Sequence, residues 1–109
     1  MTKHYDLYGA RAIAAEELRM IVESALGISF RARYNDSIGS YFNADVGSEN
    51  FTVEPNFLDV GDEEEIQEPE FADRSVLLYV NGTERGDELR GRLLGIPGLE
   101  LLRRDTRPD

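Results

Sequence analysis

The chain contains no cysteine, which excludes disulfide staples and thiolate metal sites and fits a reducing compartment. It has one histidine, His4, so a single imidazole is on offer as a base, close to one end of the chain. A Ser–His–Asp arrangement would have to use His4, and no serine sits in a nucleophile elbow. Gly82, Gly86, Gly91 and Gly95 do not form a phosphate-cradling or dinucleotide pattern. Nothing therefore points to a cofactor. No apolar stretch approaches the roughly 20 residues needed to span a bilayer. Met1 to Asp6 lacks a basic region followed by an apolar run, so the expectation is a cytoplasmic protein without a signal peptide.

What is present is acid. The 109 residues carry 22 Asp and Glu against 12 Lys and Arg, a net charge of −10. Such a surface repels nucleic acid and anionic membranes and attracts basic partners. The charge is polarised. Asn43 to Asp73 holds eleven acids and no Lys or Arg, while the segments on either side are nearly balanced. At 40% hydrophobic residues the chain can bury a core, and its length suits one domain.

Helical and alternating periods divide the chain. A short first strand is expected over His4 to Ala10. Ile13 to Leu26 predicts a helix, with Leu18, Ile21, Val22, Ala25 and Leu26 as its apolar stripe and Gly27 as its C-terminal cap. Ser29 to Tyr34, Tyr41 to Val46 and Phe51 to Phe57 alternate as strands. Pro55 pushes the last of these toward a sheet edge or bulge. Leu58 to Asp73 has no usable period and predicts a long acidic surface loop. Val76-Leu77-Leu78-Tyr79-Val80 predicts a central strand covered on both faces. Asn81-Gly82 predicts a turn, Thr83 to Leu94 a second helix with Thr83 as N-cap, Leu99 to Arg103 a last strand, and 104–109 a flexible tail. The expectation is one α+β domain over 1–103, with two helices on one face of a mostly antiparallel sheet. The specific form expected is ferredoxin-like with an extra hairpin strand.

Candidate binding residues follow from charge and pleat. The acids Asp59, Asp62, Glu63, Glu64, Glu65, Glu68 and Glu70 would enrich a basic partner near the surface and speed encounter. If the helices cover Phe30, Phe42 and Phe51, the other sheet face carries Arg31, Arg33, Tyr41, Thr52 and Glu54, and also Tyr79 unless that ring enters the core. Arg31, Arg33 and Tyr41 are then candidate anchors, since Arg and Tyr carry much of the binding energy at protein interfaces. The plainer alternatives are a solvated sheet face and an acidic loop that serves solubility. Asp59, Asp62, Glu63, Glu65 and Glu68 supply hard oxygen ligands, but adjacent acids do not match the spacing of a calcium loop. An acid–base carboxyl pair needs one carboxyl desolvated beside another left ionised, and a polar loop is the opposite setting.

Three stretches together, Asn35 to Phe42, Phe51 to Phe57 and Glu68 to Val80, resemble small acidic bacterial immunity proteins of polymorphic toxin systems. That resemblance implies a non-catalytic protein that inhibits a cognate toxin, many such toxins being basic nucleases. No functional residue is carried over from it. The alternative function is an adaptor or small-ligand sensor domain.

Overall fold

The run Val76-Leu77-Leu78 lies where an unbroken apolar stretch belongs, inside a sheet with both faces covered. In the computed structural model, which describes residues 2–60 and 63–108 (of Asp59, Val60 and Glu63 the backbone only), these residues open strand Val76–Thr83. In chain order the elements are β1 (Thr2–Ala10), α1 (Ala15–Leu26), β2 (Arg31–Asn35), β3 (Gly39–Val46), β4 (Glu49–Pro55), β5 (Phe57–Val60) and β6 (Glu63–Ile66). A 3-10 turn (Pro69–Phe71), β7 (Val76–Thr83), α2 (Gly86–Leu93) and β8 (Glu100–Pro108) complete the set. Six strands form one antiparallel sheet in the order β2-β3-β4-β7-β1-β8, and β5 and β6 pair as a separate hairpin. The architecture is α+β, two helices with a six-stranded antiparallel sheet plus a hairpin.

The helices lie on one face. Leu18, Val22 and Leu26 of α1 and Leu89 and Leu93 of α2 are buried in one cluster with Tyr8, Phe51, Val53, Val76, Leu78 and Val80 from the sheet. Each such side chain removed from water contributes about 1.5–3 kcal/mol. Gly27 ends α1 in the left-handed conformation, φ 68°, with its N–H bonded to the Glu23 carbonyl, as glycine at that position allows. Glu23 also accepts the Phe30 N–H at 2.8 Å and an Arg19 bond at 2.9 Å, which joins the end of α1 to the chain entering β2.

Several sequence expectations are corrected. Pro55 does not place its strand at an edge: β4 lies between β3 and β7, and Pro55 is tolerated as its last residue, opposite Val76. Asn81-Gly82 is not a turn but part of β7. Gly82 is required there because φ is 73° and a Cβ would stand 2.9 Å from the Ser48 carbonyl oxygen. Thr83 ends β7 instead of capping the helix from the adjacent position; Arg85 precedes α2, and Thr83 Oγ1 accepts the Arg85 N–H.

Residues 104–108 are not a tail. They extend β8, pairing with β1 from Arg104 opposite Asp6 to Pro108 opposite Thr2. The anchor is Asp6, whose carboxylate receives both Nε and Nη2 of Arg104 at 2.9 Å.

Segment 58–73 is not a long irregular loop either. Its described part is the β5–β6 hairpin followed by the 3-10 turn. Asn56, fully buried, holds the base of this excursion. Its Nδ2 donates to the carbonyls of Phe71 and Arg74, and its Oδ1 accepts the Glu68 N–H. Its backbone bonds Gln67 and Ser75.

Candidate functional site

The sheet face away from the helices is divided. Where β4, β7 and β8 carry Glu54, Tyr79 and Arg103, the residues that follow β6 bond to it. Leu7 and Leu77 are buried there, outside the helix-side cluster, and Leu58 of β5 is buried too. Gln67 Nε2 donates to Glu54 Oε1 at 2.6 Å, the Tyr79 hydroxyl donates to Glu68 Oε2 at 2.5 Å, and Arg103 Nη1 donates to Glu68 Oε1 at 3.0 Å. Thus β4, β7 and β8 each send one polar side chain up to the covering segment.

These contacts set the charge states. Burial, aided by the nearby Glu68 carboxylate, pushes the Glu54 carboxyl up to about 7. Burial also works against ionisation of Glu68. The Tyr79 and Arg103 hydrogen bonds outweigh it, and the Glu68 carboxyl is held below its ordinary range. The Tyr79 phenol is raised by burial and by its bond to Glu68. A desolvated carboxyl thus stands near an ionised one, a pattern that a polar loop does not provide. The adjacent cleft of about 210 Å³ is lined by Tyr5, Asp6, Leu7, Tyr79, Asn81, Arg103 and Asp105, and by neither Glu54 nor Glu68. Here the pair serves to hold the cover onto the sheet.

The acid-rich segment is partly neutralised from outside itself. Glu49 pairs with Arg85 at 2.8 Å, Glu68 with Arg103, and Asp73 with Arg11 at 2.7 Å and Arg74 at 2.6 Å. Glu68 is therefore an internal structural residue, its side chain only 17% exposed. Among the other acids singled out from the sequence, Glu64 and Glu65 on β6 and Glu70 on the 3-10 turn are exposed. None of the three has an ion-pair partner among the described residues. Asp59 stands opposite Glu64 and Glu63 opposite Val60 in the hairpin register. Like charges across a ladder oppose pairing. Asp62 lies outside the described residues. Among the described residues, no group of three or more His, Asp or Glu is placed to hold a metal ion.

Over β2 and β3 the same sheet face is open. Arg31 and Arg33 are exposed on β2, and Tyr41, half-buried on β3, is the cross-strand neighbour of Arg33. Arg31 faces Asn43, which faces Thr52, which faces Tyr79. Asn43 Nδ2 donates to Thr52 Oγ1, Thr52 to Asn50 Oδ1, and Asn50 Nδ2 to Asp45. The period-two pattern in the sequence therefore brings Arg31, Arg33 and Tyr41 together. No ion pair links them to the acids of 58–73 among the described residues.

Sequence reasoning missed Asn56 and Gln67. Neither carries a motif, and both act on residues eleven or more positions away. Among the described residues, no helix is long and apolar enough to cross a membrane. No family model matches the chain, and no curated protein and no solved structure matches it.

Proposed function

We propose that this chain is a non-catalytic protein-binding domain that captures a basic partner through the exposed acids of the hairpin and the turn after it. Its specific form would be a cytoplasmic immunity-type inhibitor of a bacterial toxin. One observation carries the reading: the fold neutralises Glu49, Glu68 and Asp73 with its own arginines, yet leaves Glu64, Glu65 and Glu70 exposed and without ion-pair partners among the described residues. A cluster of like charge opposes folding of the hairpin that bears it. A cationic partner relieves that repulsion and is drawn in by it. Asp59, Asp62 and Glu63 belong to the same stretch of sequence and would add to its charge.

The accompanying fold reading is ferredoxin-like. The strand order β8-β1-β7-β4, with α1 between β1 and β4 in the chain and α2 between β7 and β8, supports a split β-α-β core. In that reading β2 and β3 are the added hairpin at one edge.

The test is affinity capture from the native host, followed by a salt titration of the captured complex. A basic partner whose affinity falls steeply with salt is expected. The triple variant Glu64→Gln, Glu65→Gln, Glu70→Gln should bind it about tenfold or more weakly, chiefly through slower association. Capture of an acidic partner, or binding indifferent to salt, overturns the electrostatic account.

A further inference from the structure

We infer that β2 is a docking strand, an open edge that accepts an acidic extended segment of another protein by strand addition. This does not depend on the acidic surface proposed above. β2 ends the six-stranded sheet and, among the described residues, is paired on one side only. All five of its residues are exposed, so alternate peptide groups present their N–H and C=O to water. Its register against β3 is regular from Arg31 to Asn35, and it contains no proline. Bulges and prolines are two of the devices that block edge pairing, and β2 has neither.

The strand sorts its chemistry by face. Arg31 and Arg33 point to the open side, and Ala32 and Tyr34 to the other. Tyr34 is 71% exposed, an uncovered ring beside the edge. Arg11, Arg74, Arg85 and Arg103 each hold a carboxylate, whereas Arg31 and Arg33 hold none among the described residues. Arg31 and Arg33 line a cleft of about 320 Å³ with Asn43 and Asp45 among its other residues. Asp45, the one acid there, is already bonded by Asn50 at 2.8 Å.

Charge decides the occupant. A second copy adding β2 to β2 would bring the arginines of two chains across from one another, and like charges so placed are destabilising. A segment with Asp or Glu at every second position sets its acids against Arg31 and Arg33. Its intervening residues then fall beside Ala32 and Tyr34, where apolar or aromatic side chains match. Backbone bonds give such a complex its affinity, and the alternate side chains give it its selectivity.

The probe is a capped octapeptide alternating glutamate with valine, titrated into the isotopically labelled full chain. Amide shifts should concentrate at residues 31–35, and the double variant Arg31→Glu, Arg33→Glu should bind it at least tenfold more weakly. The same variant should gain affinity for the lysine–valine counterpart, a rescue that also shows it is folded. The Glu64, Glu65, Glu70 triple variant should bind the glutamate peptide as the parent does, so failure here and failure of the acidic surface are distinguishable. Equal binding of the lysine–valine peptide to the parent overturns the inference. So does equal binding of a glutamate peptide with two central prolines, the absence of shifts in β2, or dimerisation of the free protein through β2.

Discussion

Two halves of one sheet face have been treated differently by the same chain. On the side of β4, β7, β1 and β8, the segment after β6 ties itself to the sheet through Glu54, Tyr79 and Arg103, and Leu7 and Leu77 are buried. On the side of β2 and β3, every residue of β2 is exposed, and Arg31 and Arg33 stand without carboxylate partners among the described residues. Apolar residues mark the first half and polar ones the second. Leu7 and Leu77 need a cover. Asn43 on β3 instead bonds Thr52, and Thr52 bonds Asn50, on the adjoining stretch of β4, a polar ladder that is stable facing water. One half is tied to a segment of its own chain, and the other leaves Arg31 and Arg33 exposed.

That contrast breaks first at the far edge of the covered half. Deleting 104–109 removes Arg104 and leaves Asp6, whose side chain is 1% exposed, without its bidentate partner. The expected loss is about 4 kcal/mol by urea denaturation, since stranding a buried charge costs about 3–5 kcal/mol. A loss below about 1 kcal/mol would return 104–108 to the status of a tail.

Next comes the base of the cover. Asn56→Ala removes three side-chain hydrogen bonds in a fully buried position. The expected destabilisation is about 3 kcal/mol. Hydrogen exchange should accelerate at residues 67–75 while that of β2 and β3 stays unchanged. Uniform acceleration would mean that the two halves are not separable.

The comparison sharpens with pH. Glu54 has its carboxyl raised from the ordinary 4.5 to about 7 by burial and by Glu68. Between those values the unfolded chain releases the proton and the folded chain keeps it. Stability from this group is therefore full below about pH 4.5 and declines as pH rises toward 7. Glu54→Gln should match the parent near pH 4 and exceed it by about 3 kcal/mol at pH 8, because an amide oxygen still accepts the Gln67 bond. Parallel stability–pH curves for the two proteins would count against a buried, protonated Glu54.

The smallest effect belongs to the open half. Arg31→Ala and Arg33→Ala should each change stability by no more than about 0.5 kcal/mol, measured by the same denaturation, because both side chains are exposed and make no ion pair among the described residues. A larger loss would show that these arginines hold structure together and are not held in reserve.

Much of the framework is legible in the sequence. Leu18, Val22 and Leu26 recur at helical spacing and are buried in α1. Phe42 and Ala44 alternate with Tyr41 and Asn43, and β3 separates them by face. The unbroken run after Ser75 is buried on both sides, as its composition requires. The grouping of Arg31, Arg33 and Tyr41 was legible for the same reason, since a strand sends every second residue to one face. The hairpin was not. Each of its strands has four residues, and acids stand at three consecutive positions of β6, so no alternation survives to be read. Nor was β8 beyond Arg103, where the residues are polar and the pairing depends on β1 at the opposite end of the chain.

By itself the sequence determined what one or two turns of chain can decide. Helix faces, strand faces and the location of the acid excess all follow from a local period or a local count. Only the tertiary structure decided which acids remain available. Glu49, Glu68 and Asp73 meet Arg85, Arg103 and Arg11 across 36, 35 and 62 positions of sequence, and Asn56 reaches up to 18 positions to anchor the cover. The physical reason is that a charge is neutralised by whatever lies within a few ångströms of it, and the fold, not proximity along the chain, sets that distance.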